Sequence, residues 1–327
     1  MPTKTVLEAV RDALHDEMKR DEHVFIMGED VGPRGNVFRI TAGFLEEFGR
    51  ERIIDTPLAE ASIAGVAIGA AMMGMRPVAE IQFADFIYPA YNQIVGEAAK
   101  IRYRSAGGNT CPLVIRTPYG GGVRGALSHS VSIEALFYHV PGLKICAPST
   151  PRDTQGLLVA AIRDDDPVLF LEHKKTYRLV KGDVPDGDFT VPIGKADVAR
   201  AGTDVSVITY GLMRHFAVDA AERIASEGVE AEVIDLRTIR PLDRETILNS
   251  VAKTRRALIV HEDQKFGGVG AEIAAIIAEE ALFDLDAPIR RVAGPDVPAM
   301  GYAKEYEDPF MPSPERIAAA IRDIAAL

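Results

Sequence analysis

Cysteine is scarce: 327 residues hold two, Cys111 and Cys146. They stand far apart and form no CxxC pair. That leaves no disulfide framework and no cysteine-based metal spacing, and a reduced, cytoplasmic setting is expected. Long apolar runs are missing too. The most apolar stretch, residues 61–75, is rich in Gly and Ala and falls short of the ~20 residues that span a bilayer. It is expected as a buried helix packed through small side chains, with no membrane partner. The opening MPTKTVLEAVRDAL is amphipathic and charged throughout, so no secretory signal is expected. Positive charge is in deficit: Lys and Arg number 37 against 48 Asp and Glu, a formal net charge of −11. Such an excess opposes binding to nucleic acid or acidic membrane, because no phosphate charge would be neutralised. It suits a basic protein partner.

Apolar residues are plentiful, at 47%. The chain is longer than one hydrophobic core usually spans, so two domains are expected. A helix opens it, with Thr5 as cap and Val6, Leu7, Val10 and Leu14 at helical spacing. Strand and helix then alternate. VFIMGED reads as a strand, residues 60–75 as a helix, PVAEIQF as a strand and residues 87–103 as a helix. PLVIRTP, LKICAPS and PVLFLE are further short apolar strands. Such alternation predicts a parallel sheet covered on both faces. Over residues 174–202 the pattern lapses into a Gly-, Pro- and Asp-rich stretch, where the linker is placed. Alternation resumes with DVSVITYG, AEVIDLRTI, RALIVHED and IRRVAG as strands. Helices are expected near 214–226, 244–252 and 269–282, with a last one over 314–326. This is a second, smaller α/β domain.

Four segments carry candidate chemistry, and each has a plain structural reading beside it. GGGVRG at 120–125 fits GxGxxG after an expected strand, which suggests a dinucleotide site. The next strand ends in Ala-Pro-Ser, with no acid placed for a ribose, so a flexible close-approach loop is the competing reading. Glu60, in DTPLAEASIAG, sits at a strand-to-helix junction, where the macrodipole alone would favour an acid. Gln82, Phe83 and Phe86 leave a strand end in EIQFADF. Ligands bind at such ends in open α/β sheets, although core aromatics would look the same. His129, in GALSHSVS, follows the glycine loop and could equally cap a helix or face solvent.

Taken in order, DTPLAEASIAG, EIQFADF, EAAKIRYRSAGG, GALSHS, GLKICAPSTPRDTQGLL, DDPVLFLEHK and AEVIDLRTIRPLD resemble the beta subunits of the thiamine-diphosphate-dependent 2-oxoacid dehydrogenases, of the pyruvate, branched-chain and acetoin types. The likeness runs over nearly the whole chain. The implied α/β fold is a transketolase-like, pyrimidine-binding parallel-sheet domain over residues 1–180, a linker over 181–202, and a smaller transketolase C-terminal domain over 203–327.

The resemblance also implies roles. Glu60 matches the glutamate that hydrogen-bonds ring N1′ of the cofactor's aminopyrimidine and so promotes loss of the thiazolium proton. Such an acid belongs in a dry pocket, where its protonated form is favoured and a hydrogen bond is strong. Phe86 matches the ring-stacking position and Gln82 a residue lining the same pocket. Leu58 matches a residue whose backbone lies near the aminopyrimidine. His129 matches a histidine implicated in passing the acyl group to a lipoyl arm, a step needing proton transfer. The family usually reads His-Ser-Gln-Ser here, whereas this chain has Val131 in place of the Gln. A structural potassium ion is implied at Leu113, Ala161, Ile162, Asp164 and Asp166, mostly through backbone oxygens, which suit a hard cation.

One motif is absent. Cofactor diphosphate and Mg2+ are held in such enzymes by a GDG sequence with an Asn roughly thirty residues on, and this chain has none. The resemblance therefore implies a separate alpha subunit holding that half, an alpha2-beta2 heterotetramer, and a lipoyl acyltransferase core as a further partner. The expected reaction is oxidative decarboxylation of a 2-oxoacid, or acetoin cleavage, with reductive acylation of a lipoyl domain. A nicotinamide-dependent oxidoreductase resting on residues 120–125, and a non-catalytic scaffolding subunit, are the alternatives. Sequence does not fix the substrate.

Overall fold

A computed structural model describes residues 1–327. The chain forms two compact units, Met1–Tyr119 with Leu136–Ile193, and Gly120–Ala135 with Gly194–Leu327.

In chain order the first part runs β1 (Thr3–Thr5), α1 (Val6–Arg20), β2 (Val24–Gly28), α2 (Phe44–Phe48), β3 (Ile53–Asp55), α3 (Glu60–Met72), β4 (Arg76–Glu80), α4 (Ile101–Arg104), β5 (Val114–Tyr119), α5 (Glu134–Tyr138), β6 (Lys144–Cys146), α6 (Pro151–Arg163), β7 (Val168–His173), α7 (Thr176–Leu179) and β8 (Lys181–Asp183). The main sheet of the first unit has the order β6-β7-β5-β4-β2-β3, every pairing parallel. Its central strands are apolar without alternation because both faces are buried. Helix α1 begins where the sequence predicts. The Thr5 hydroxyl accepts from the Glu8 N–H at 3.2 Å, and the Glu8 carboxylate accepts from the Thr5 N–H at 2.7 Å, a reciprocal cap. Its buried stripe, Val6, Val10, Ala13, Leu14 and Met18, packs on α6. The first strand, β1, pairs antiparallel with β8 far along the chain. Cys111 and Cys146 are both free and buried in this unit.

One expected element is different. Residues 87–103 read as a single helix, but the structure breaks them into a 3-10 turn (Tyr88–Ala90), a π-turn (Asn92–Glu97), another 3-10 turn (Ala98–Lys100) and the short α4. Pro89 stands in the first turn, where its missing N–H costs no hydrogen bond, and the bond beside it, from the Ala90 N–H to the Ile87 carbonyl at 2.9 Å, is of the 3-10 type. Further on, the Ala99 carbonyl backs onto Gly142, where a Cβ would lie 2.0 Å from the oxygen. That close approach, at a Gly142 φ of 91°, admits glycine alone.

The second unit holds β9 (Asp197–Arg200), β10 (Val205–Thr209), α8 (Leu212–Ala225), β11 (Ala231–Asp235), β12 (Thr238–Arg240), α9 (Arg244–Thr254), β13 (Ala257–Gln264), α10 (Val269–Glu280), β14 (Arg290–Gly294), α11 (Lys304–Phe310) and α12 (Pro314–Ala325). Its sheet order is β14-β13-β10-β11-β9, parallel except for the edge strand β9. AEVIDLRTI, expected as one strand, becomes β11 and β12. Arg237 between them has a φ of 57°, which no strand tolerates. Helices α8 and α12 pack together over the apolar core of this unit.

Candidate active site

In the first unit, candidate residues gather beyond the carboxyl ends of β2, β3 and β4. Helix α3, expected to be buried, is so on one side only: Glu60, Ile63, Ala64, Ala67, Ile68 and Ala71 face the core, whereas Ser62, Val66 and Met72 are exposed, so its apolar circumference is not matched by burial all round. Glu60 is its first residue and is only 9% exposed. The helix N-terminus favours a carboxylate at this position. Leu58, two residues earlier, is 77% exposed. After β4 the chain continues through Gln82 into a 3-10 turn, Ala84–Phe86. The Gln82 amide donates to the Asp30 carboxylate at 3.1 Å. Asp30 and its neighbour Glu29 follow β2. Burial pushes the Glu29 carboxyl above the usual range, and the charges of Glu60 and Asp30 add to this. Glu60 and Gln82 are thus tied to one place through Glu29 and Asp30. Half-buried Phe86 meets Phe83 edge-on, with centroids 5.8 Å apart. Phe83 meets Phe38 at 5.8 Å, and Phe38 meets Tyr177 at 4.9 Å.

Beneath these residues lies an ion network that sequence reading did not single out. Arg116 on β5 sits between Glu80 on β4 and Glu172 on β7, exposed to 0, 1 and 1% respectively. It donates from Nε and a terminal nitrogen to the two Glu172 oxygens at 2.7 and 2.6 Å, and also to Glu80. The Tyr177 hydroxyl donates to Glu172 at 2.5 Å, and the Asn36 amide donates to Glu80 at 2.9 Å. Asn36 in turn accepts from the N–H groups of Phe38 and Ile40 at 2.9 and 3.0 Å. The network therefore fixes the Asn36 turn, from which Phe38 reaches the aromatic row. Burial raises the Glu80 carboxyl and the Glu172 charge adds to this, against the opposing pull of Arg116 and Asn36. The signal in the sequence was a charged residue, Glu80, Arg116 or Glu172, in each of three mostly apolar strand segments.

His129 belongs to the second unit. It is half-buried, closing a 3-10 turn, Ala126–Ser128. The loop before it alternates in backbone hand, with φ of 83° at Gly120, 78° at Gly122, 60° at Arg124 and 56° at Ala126. Successive N–H groups in such a loop converge into an anion-binding hollow. Here the chain's own carboxylates fill it. Glu262 accepts from the Gly121 N–H at 2.6 Å and from the Ser132 hydroxyl at 3.2 Å. Glu307 accepts from the N–H groups of Gly122 and Arg124 at 3.0 and 2.9 Å. Those donors are what a dinucleotide diphosphate would need, so the GxGxxG match has a different physical use. Val131, where a Gln was expected, takes part through its backbone: its carbonyl accepts from the Gly120 N–H at 3.0 Å. Nearby, burial raises Glu134 well above the carboxylate range and brings Asp263 up to about 6, with Glu262 adding to both.

The residues expected around potassium lie together in the first unit. The Leu113 carbonyl accepts from the Val168 N–H at 2.8 Å, and that of Ala161 from the Asp164 N–H at 3.3 Å. Arg76 donates to the carbonyls of Ile162 and Asp164, both at 3.0 Å. The Asp164 carboxylate takes the Lys144 ammonium at 2.7 Å, and Asp166 pairs with Arg102. The side-chain charge is thus met from within the chain, while each carbonyl retains a second lone pair.

Comparison with known proteins settles the family. Residues 3–180 match the family described as transketolase, pyrimidine binding domain, and residues 194–317 match transketolase, C-terminal domain. The 2-oxoisovalerate dehydrogenase subunit beta of Bacillus subtilis (strain 168) is 59% identical over 325 residues, covering 99% of both chains. This chain belongs to the beta subunits of the 2-oxoacid dehydrogenases. Another member, the pyruvate dehydrogenase E1 component subunit beta of the same strain, is 50% identical over 296 residues, covering 90% of this chain and 91% of that one. Among solved structures, a split-gene transketolase described as an inactive beta4 tetramer superposes with a TM-score of 0.80 at 23% identity, over 99% and 98% of the two chains. A transketolase of Pichia stipitis gives 0.70 at 14% identity, over 100% of this chain and 47% of that one. These two show that the beta subunit has a transketolase-like fold. No helix in it is long and apolar enough to cross a membrane.

Proposed function

We propose that this beta subunit, with a separate alpha chain, catalyses thiamine-diphosphate-dependent oxidative decarboxylation of a branched-chain 2-oxoacid and passes the acyl group to a lipoyl domain. The observation that carries this is Glu60, a carboxyl nearly shut off from water at the head of an apolar helix, with Gln82 and Phe86 beyond the neighbouring strand. A buried acid, a carboxamide and an aromatic face suit the polar edge and flat face of an aminopyrimidine. Bound there, the cofactor would supply a nucleophilic carbon for the 2-oxo group and an electron sink for loss of carbon dioxide. Glu60 would hold a proton at ring N1′. Phe86 would cover one face of the ring and exclude water from it, the Leu58 backbone would lie along its edge, and Gln82, steadied by Asp30, would fix its orientation. His129 would deliver a proton to the lipoyl sulfur during acyl transfer. The diphosphate and its Mg2+ would be held by the alpha chain.

Branched-chain specificity is favoured by the higher identity to the 2-oxoisovalerate relative than to the pyruvate one. The test is to co-express the chain with its alpha partner and compare turnover of 2-oxoisovalerate, pyruvate and acetoin. A preference for pyruvate or acetoin would overturn the substrate assignment. Absence of all three activities from a folded, cofactor-loaded pair would overturn the function. For potassium, we propose that the Ile162 and Asp164 carbonyls share their second lone pairs with the ion. A higher Tm in potassium chloride than in the same concentration of tetramethylammonium chloride is expected, and equal values would remove the site.

A further inference from the structure

We infer that Glu262 and Glu307 are positioning residues, whose carboxylates hold the 120–126 loop in the one conformation that presents His129. This rests on reading His129 as the acyl-transfer residue. Left-handed backbone at Arg124 and Ala126 is costly for residues with a side chain, and the loop carries it together with two left-handed glycines. Something must over-determine that shape. Three of its N–H groups, those of Gly121, Gly122 and Arg124, end on two carboxylates that are each only 2% exposed. Hydrogen bonds from N–H to a buried carboxylate are the strong kind. The Arg124 side chain adds an ion pair to Glu307 at 3.3 Å.

The grip reaches His129 by contact. A Cβ on Gly125 would lie 2.4 Å from the His129 carbonyl oxygen and 2.8 Å from its Cβ, so the loop is folded hard against the histidine. On the loop's other side, a Cβ on Gly121 would lie 2.2 Å from the Met300 sulfur. Glu262 also accepts from Ser132, three residues past His129. The histidine is therefore bracketed by groups that answer to the two acids.

The test uses the co-expressed alpha–beta enzyme. Glu307→Ala should speed amide exchange at Gly122 and Arg124 by about 10–100-fold, the scale of a lost charged hydrogen bond. Acyl transfer to a lipoyl domain should fall, while decarboxylation with an artificial electron acceptor persists. Glu307→Gln keeps an oxygen that can accept both N–H groups and should recover much of the transfer. Glu307→Asp keeps the charge but shortens the arm, and should loosen the same amides if the alanine variant fails to assemble. Glu262→Ala should do the same at Gly121. In a His129→Ala background, Glu307→Ala should cost no further transfer. Unchanged exchange, equal loss of both activities, or additive loss in the double variant would each overturn the inference. If His129→Ala by itself leaves transfer intact, the reading of His129 fails instead, and amide exchange still decides whether the acids hold the loop.

Discussion

Arg116 carries one positive charge between two carboxylates, and all three are closed off from water. Removing one member of a buried ion network leaves the others uncompensated, at about 3–5 kcal/mol. Arg116→Met should therefore lower the unfolding free energy obtained from urea titration by an amount of that size, and a loss near zero would mean that the network is solvated. Glu60 and His129 should fail in different ways in the alpha–beta enzyme. On the role proposed for Glu60, Glu60→Gln would take away the proton offered to N1′, so both decarboxylation with an artificial acceptor and acyl transfer should fall by about 10²–10⁴-fold. His129→Ala should lose transfer and largely keep decarboxylation. Parallel losses in both variants would show the roles wrongly divided. Asp263 offers a pH handle. Its carboxyl titrates at about 6 when folded, against an ordinary 3.8. Between those values the folded state binds more protons than the unfolded one, so this contribution is complete below the lower value and is lost as pH rises through the upper. Asp263→Asn cannot ionise, and its stability advantage over the native chain should grow from about pH 4 to about pH 6 and level off above that, by an amount on the order of 3 kcal/mol. A constant difference would place the titration elsewhere.

At the level of elements, what could be read beforehand depended on whether a segment obeys local rules. Helix α1 has its cap and stripe written in consecutive residues, and β2, β5 and β7 are short, mostly apolar runs, so all four were legible. Segment 87–103 was not, because no rule of consecutive residues marks its changes between 3-10, π and α turns, and one of its close contacts, Ala99 on Gly142, lies across the fold. Gly142→Ala should destabilise the chain by more than about 1 kcal/mol, measurable as a lower Tm, and an unchanged Tm would mean that the contact relaxes freely. The same limit applies at the candidate site. The motifs holding Glu60, Gln82, Phe86 and His129 can be picked out in order along the sequence. Glu262 and Glu307 cannot, because their partners are backbone N–H groups more than a hundred residues away. GxGxxG misleads for a related reason: the pattern records a loop with converging donors, and only the fold says which anion they meet.

For the whole molecule, affinity for a diphosphate cofactor rests on phosphate and metal contacts, which a chain without a GDG motif does not supply. The purified beta subunit alone should turn over no 2-oxoacid, with cofactor and Mg2+ present. Robust activity without a second polypeptide would refute the division of labour. Co-expressed with its partner it should form an alpha2-beta2 particle by light scattering, and the net charge of −11 should make docking to a basic acyltransferase segment weaken with added salt. The two buried cysteines give a way to follow one half of the protein by itself. Both lie in the first unit, and burial lifts the Cys111 thiol to about 12. Hardly any thiolate exists at neutral pH, so a thiol reagent stays silent until that unit opens. Labelling rates would time the breathing of the half that holds Glu60, with the other half contributing no signal.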